Sequence, residues 1–139
     1  MIITATITNL QEITKLALKL WPEHDFDELI REYQKIIQNE NNAIFLCYDN
    51  NKPIGFCQCG LRFDYVEGTS SSPVLYLEAI YIEEEYRKQG YAKESLELLL
   101  DYCFNILILK QVYCLIDELN TDSLNLFKKI GFVQCGLRK

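Results

Sequence analysis

Tyr76-Leu77-Glu78-Ala79-Ile80-Tyr81-Ile82, followed shortly by Arg87-Lys88-Gln89-Gly90-Tyr91-Ala92, is the stretch on which the reading of the fold turns. The first part is a strand-like apolar run carrying one carboxylate, Glu78, in its middle. The second is an Arg-x-x-Gly-x-Ala turn that opens onto a helix. Such a turn aims several backbone N–H groups from a helix N-terminus and is suited to a pyrophosphate. Gly90 lets the backbone approach an anion closely. A base beside a phosphate cradle implies group transfer from a phosphate-bearing cofactor. Glu83-Glu84-Glu85, between the two parts, reads as a solvated loop favouring the positive end of the helix that follows.

Working outward, residues 2–8 alternate Ile and Thr and predict a strand. Asn9 is placed to cap a helix ending at Leu20, with Leu10, Ile13, Leu16, Ala17 and Leu20 on one face. Trp21-Pro22 stops it. A second amphipathic helix is predicted over residues 25–38, with Phe26, Leu29, Ile30, Tyr33, Ile36 and Ile37 at helical spacing. Strands are predicted over 43–48, 54–62 and 74–82, with a turn at 49–53 and a polar connection at 68–73. After the glycine turn come a helix over 90–105, a strand over 112–116, a helix over 122–130 and a last strand over 132–137. Leu96, Leu99, Leu100 and Cys103 are expected to face inward from the third helix. The order β-α-α-β-β-β-α-β-α-β describes one α/β domain over residues 1–139, a mixed central sheet flanked by about four helices.

Composition narrows the function. The chain has 139 residues, 49% of them hydrophobic and 24% charged, as in ordinary globular proteins. No basic leader with an apolar core opens it, and no apolar run reaches the roughly 18 residues of a membrane span. A net charge of −6 argues against nucleic acid as a partner and fits a cationic substrate. Six cysteines lie without Cys-x-x-Cys spacing, mostly in apolar runs, which predicts free buried thiols in a reducing cytoplasm. With His24 as the single histidine, no metal site is expected. A covalent cysteine mechanism lacks the histidine partner it would need.

The strand with Glu78, the Arg87-x-x-Gly90-x-Ala92 turn, Asn120 and the late Phe127-Lys128-Lys129-Ile130-Gly131-Phe132, in that order, resemble the GNAT superfamily of acetyl-CoA-dependent N-acetyltransferases. Leu20-Trp21-Pro22-Glu23-His24, the stretch from Arg62 to Thr69 with Ser72-Pro73, and Tyr76-Leu77-Glu78-Ala79 are similar to the aminoglycoside 6'-N-acetyltransferases within it. Ala79 stands where that subfamily usually has glycine. The resemblance implies acetyl-CoA as co-substrate and a small cationic amine as acceptor. It also implies Glu78 as the catalytic carboxylate, and binding of the pyrophosphate by Arg87, Lys88, Gln89, Gly90, Tyr91 and Ala92. The pantetheine arm would pair with the backbone of Ile80, Tyr81 and Ile82 like an added strand, with an N–H near Ile80 facing the developing oxyanion. Asn120, with Ser123 nearby, either contacts the cofactor arm or caps a helix. Acceptor-site candidates are Trp21, Glu23, Asp64, Tyr65 and, after the fifth strand, Asp117 or Glu118. Their rings can stack on sugars and their carboxylates pair with ammonium groups. Trp21 alternatively packs a helix end. Many of these enzymes carry a tyrosine five residues before the last phenylalanine as general acid, and here that residue is Phe127. The chain ends near where the family begins a final strand, so either that strand is expected to be lost or a partner in a homodimer to cover the edge.

Overall fold

The computed structural model describes residues 1–63, 73–116 and 120–134. Five strands run in the spatial order of the chain: β1 (Ile2–Thr4), β2 (Asn42–Asp49), β3 (Lys52–Arg62), β4 (Val74–Ile82) and β5 (Val112–Cys114). The first four pair antiparallel, and β5 joins β4 in parallel. Four α-helices cover the sheet: α1 (Leu10–Leu20), α2 (Phe26–Gln38), α3 (Tyr91–Asp101) and α4 (Thr121–Ile130). The mixed sheet with its helices is the architecture the element order implies.

Two cores lie on opposite faces of the sheet. Ile13, Leu16 and Ala17 of α1 and Leu29 and Tyr33 of α2 pack on Ile44, Leu46, Phe56 and Ala79. Leu96 and Leu99 of α3, with Cys103 and Phe127 of α4, pack on Phe45, Cys57, Cys59, Leu75 and Leu77. Neighbouring residues of β2 and β3 thus serve opposite layers, which is why both strands read as nearly continuous apolar runs. At the centre of the first layer the Tyr33 hydroxyl donates to Gln58 Oε1 at 2.8 Å.

Four elements differ from their prediction, one of them β5, which ends at Cys114 instead of Ile116. The Ile–Thr alternation ends as a strand at Thr4, and residues 7–9 form a 3-10 turn. There the Thr6 N–H donates to Asn9 Oδ1 at 2.9 Å, so local capping outcompetes further ladder pairing. The third helix is α-helical only to Asp101 and ends in a π-helical turn, Tyr102–Ile106. This turn keeps Cys103 buried, while Leu100 is half-buried. The strand expected from Phe132 does not form over 132–134, and its remainder lies outside the described residues. Instead Gly131, at φ 115°, closes α4. The Phe132 N–H returns to the Phe127 carbonyl at 2.9 Å, in the Schellman pattern. The Phe132 ring then meets Phe127 edge to face at 5.0 Å.

Gly55 sets how closely β3 and β4 approach. A Cβ there would lie 2.4 Å from the Tyr81 carbonyl oxygen and 2.6 Å from Ile82 Cδ1. Gly55→Ala must therefore push the end of β4 outward, at a cost of roughly 1–3 kcal/mol. A urea midpoint lowered at unchanged m-value is the expected result, and an unaltered midpoint would contradict this packing.

Candidate active site

The sheet opens at Glu78. β5 pairs only with Leu75, Tyr76 and Leu77, whereas β4 continues to Ile82. Among the described residues the edge of 78–82 on the β5 side has no strand partner. Ile80, Tyr81 and Ile82 lie on this stretch, where an extended ligand could pair with the backbone.

Glu78 is also the extra residue of a β-bulge. Gln58 pairs with Ala79 and Cys59 with Leu77, which leaves Glu78 without an opposite residue on β3. The bulge inverts the alternation of β4: Leu75 and Leu77 face the α3–α4 layer, but beyond Glu78 it is Ile80 that packs there. Ala79 and Tyr81 pack in the α1–α2 layer. The Glu78 side chain remains 32% exposed. Arg62 Nη2 donates to Glu78 Oε1 at 2.6 Å, and its guanidinium lies 4.4 Å from the Tyr76 ring centroid. Sequence reasoning left Arg62 without a role, because a partner 16 residues away becomes visible only through the β3–β4 register.

The turn that follows is held by its own side chains. Arg87 Nε donates to the Ile82 carbonyl at 2.8 Å, and Gln89 Nε2 to the Glu85 carbonyl at 3.1 Å. Lys88 at φ 62° and Gly90 at φ 95° are both left-handed, and Gly90 is the N-cap of α3. The first backbone bond of that helix is Glu94 N–H to the Gly90 carbonyl. Among the described residues the N–H groups of residues 88–93 donate to no backbone carbonyl. A Cβ on Gly90 would meet nothing within 4 Å. Free donors, left-handed backbone and open space together fit a pyrophosphate. Arg87 and Gln89 fix the loop through their side chains, and the Tyr91 ring centroid lies 6.2 Å from that of Tyr86. Ala92 sits in the first turn of α3.

Glu83 departs from the solvated-loop expectation. It is 9% exposed, paired with Lys19, and accepts the Tyr81 hydroxyl at 2.8 Å. Burial alone would raise its carboxyl, but the hydrogen bonds from Lys19 and Tyr81 and the Lys19 and Lys52 charges hold it below its ordinary 4.5. Burial, and then the bond to Glu83, push Tyr81 up to about 12. The Arg87 guanidinium lies 5.6 Å from the Tyr81 ring centroid. One network thus ties the last turn of α1 to the turn that precedes α3. Tyr81, Glu83, Glu84 and Glu85 also line an open depression of about 550 Å³.

The remaining predicted residues divide. Trp21 is half-buried against the α1–α2 core and meets His24 edge-on at 6.4 Å, so it packs a helix end. Glu23 is exposed, 3.6 Å from His24 Nε2. Asn120 caps α4, its side-chain oxygen accepting the Ser123 N–H at 3.1 Å, which leaves its amide N–H groups for a ligand. Phe127 is core, 4% exposed. Asp64, Tyr65, Asp117 and Glu118 lie outside the described residues. Among the described residues no cluster of His, Cys, Asp and Glu could hold a metal ion.

A sheet parted beside a bulged carboxylate, next to a turn with free N–H groups, agrees with what family comparison finds. The profile of the acetyltransferase (GNAT) family matches residues 8–132, and the chain belongs to that family. It is 36% identical over 87 residues to an aminoglycoside N(6')-acetyltransferase type 1 of Salmonella enteritidis, covering 63% of this chain and 60% of that protein's length. A protein of the same description from Serratia marcescens is 29% identical over 140 residues, covering 96% and 92% of the two chains. Among solved structures, AAC(6')-Iy in complex with the bisubstrate analogue CoA-S-monomethyl-acetylneamine superposes with a TM-score of 0.93 at 27% identity, covering 100% of this chain and 94% of that one.

Two outcomes check this geometry. Gly90→Ala meets no steric obstacle, so its cost is backbone strain, about 1–2 kcal/mol. It should lower the denaturation midpoint and weaken CoA binding measured by calorimetry, and unchanged affinity would remove the turn from the site. Because the Glu83 carboxyl titrates below 4.5 in the fold, its network stabilises fully above pH 4.5 and loses that contribution as pH falls through the folded value. Glu83→Gln should therefore cost about 1 kcal/mol at neutral pH, with a Tm gap to the unaltered protein that closes under acid. A gap independent of pH would show that the contact is not ionic.

Proposed function

We propose that the protein is an acetyl-CoA-dependent aminoglycoside 6'-N-acetyltransferase. The observation that carries this reading is the bulge at Glu78, which sets one carboxylate at the point where β4 leaves β5. The described relatives, named as aminoglycoside N(6')-acetyltransferases, support the acceptor class. The solved AAC(6')-Iy, in complex with the bisubstrate analogue CoA-S-monomethyl-acetylneamine, supports the pairing of the two substrates.

In this reading acetyl-CoA lies along Ile80, Tyr81 and Ile82, with its pyrophosphate on the N–H groups of the turn from Arg87 to Ala92. Asn120 and Ser123 flank the arm. The acceptor contacts assigned in this reading are Glu23, Asp64, Tyr65 and Asp117 or Glu118, with the part of the Trp21 ring that its helix-end packing leaves accessible. An alkylammonium titrates near 10, so freeing its lone pair at neutral pH costs about 4 kcal/mol. Glu78 takes that proton, directly or through water. The amine nitrogen then attacks the thioester carbonyl, the N–C bond forms, and the C–S bond breaks. Phe127 has no proton to give and sits in the core. In this reading the sulfur leaves as thiolate, an easy departure for a thiol titrating near 8.5. It takes up through water the second proton, which the attacking nitrogen sheds as the C–S bond breaks. Buried unpaired Cys47, Cys57, Cys59 and Cys103 support a reducing, cytoplasmic setting. No helix among the described residues is long and apolar enough to cross a membrane. We further propose that two copies associate.

Mass detection of product from acetyl-CoA with kanamycin, tobramycin, spermidine or a peptide N-terminus tests the assignment. Acetylated aminoglycoside is expected, with kcat lowered roughly 10²–10⁴-fold in Glu78→Gln. Turnover confined to spermidine or peptide would keep the chemistry and overturn the acceptor. Binding of acetyl-CoA without any turnover would mark a non-catalytic module.

A further inference from the structure

We propose that Glu83 is a positioning residue for the cofactor, holding Arg87 through Tyr81 so that the turn of residues 87–92 stands ready for a pyrophosphate. The proposal rests on the reading of that turn as the pyrophosphate site and names what keeps it in shape. Lys88 at φ 62° and Gly90 at φ 95° bend the turn through the left-handed region. A lysine there is strained, and such a conformation persists only where its surroundings impose it. Gln89 bonds the Glu85 carbonyl, within the same loop. Arg87 reaches the sheet, its Nε donating to the Ile82 carbonyl at 2.8 Å.

Arg87 is in turn held by its neighbour on β4. Its guanidinium lies 5.6 Å from the Tyr81 ring centroid, and the Tyr81 hydroxyl donates to Glu83 Oε1 at 2.8 Å. Glu83 Oε2 is taken by Lys19, so both carboxylate oxygens are engaged. The Glu83 backbone is fixed as well. Its N–H donates to the Ile54 carbonyl of β3 at 2.7 Å, and its carbonyl accepts the Tyr86 N–H at 2.9 Å. A carboxylate only 9% exposed carries a desolvation cost that an apolar side chain would not. Stability alone therefore does not call for a charge here. The carboxylate adds direction to contact, fixing the Tyr81 phenol by a charge-assisted bond. A turn held in its binding shape loses less freedom when an anion docks, and the difference appears as affinity for CoA.

Calorimetric titration of the full chain with CoA tests this role. Glu83→Met fills the buried place without offering an acceptor, and is expected to bind CoA roughly five-fold more weakly. Tyr81→Phe keeps the ring beside Arg87 and loses the bond. It should weaken CoA by a similar factor, with no further loss in the double variant. Glu83→Gln, although less stable at neutral pH, still offers the hydroxyl a partner, so its CoA affinity should stay close to that of the unaltered protein. Affinity that follows stability instead, as low in Glu83→Gln as in Glu83→Met, would overturn the proposal, as would losses that add in the double variant. Pantetheine, the arm without the pyrophosphate, should bind Tyr81→Phe and the unaltered protein alike, and an equal loss with pantetheine would overturn the role at the turn. If Glu83→Met does not fold, Tyr81→Phe decides, and unchanged CoA affinity there overturns the positioning. Weaker CoA binding in Gly90→Ala with none in Tyr81→Phe leaves the turn as the pyrophosphate site and removes Glu83 alone. Unchanged affinity in Gly90→Ala removes the turn and the proposal with it.

Discussion

The pairing of β4 with β5 stops after Leu77, and much of the molecule follows from that early separation. A strand that continued in register would leave no edge for a ligand and no space beside Glu78. The sheet instead spends only residues 75–77 on the parallel partner and, among the described residues, leaves 78–82 without a strand on that side, the Ile82 carbonyl being met by the Arg87 side chain. Buried strands rarely leave backbone groups unpaired unless a ligand or solvent meets them. The bulge falls at the same place. It moves Glu78 out of the ladder and exchanges the layers served by the residues after it, so Ala79 and Tyr81 close the α1–α2 core while Glu78 stays reachable.

The two halves of the site are mechanically joined. Lys19 belongs to the last turn of α1, one residue before Leu20 and two before Trp21. Through Glu83 it touches Tyr81, and over the Tyr81 ring lies Arg87, whose Nε holds the Ile82 carbonyl. The Arg87 and Gln89 side chains of the turn before α3 are thereby engaged with backbone carbonyls, and among the described residues the N–H groups of 88–93 donate to no backbone carbonyl. A loop ordered in this way loses less entropy when an anion docks.

Much of this was legible in the residues. Amphipathic spacing located α1 and α2 within a residue or two, because one face of each is buried and the other is wet. The glycine turn was legible as a helix start because a left-handed N-cap favours glycine, and Gly90 stands there at φ 95°. Register was not. The bulge at Glu78 is a property of β4 against β3, and neither strand records it alone. Arg62 and Glu83 acquired partners from distant elements, Glu78 in one case and Lys19 in the other, so a local reading left one without a role and the other in solvent. Phe132 looked like the start of a strand because it is aromatic, whereas it serves as the closing contact of α4 on Phe127. Asn120 offered two equally sound local roles, and the capping bond to Ser123 is the one realised in the free chain.

The placement of the thiols has a practical side. Cys47, Cys57, Cys59 and Cys103 lie within the two-layered sheet or against it, and burial raises each of them, Cys59 to about 12 and Cys103 to about 11. Only a thiolate reacts readily with disulfide reagents. Cys114 is only half-buried, whereas in the native state burial holds these four groups back from such reagents. Once the sheet opens they become a bright internal signal, so the same reagent doubles as a gauge of how often the fold breathes.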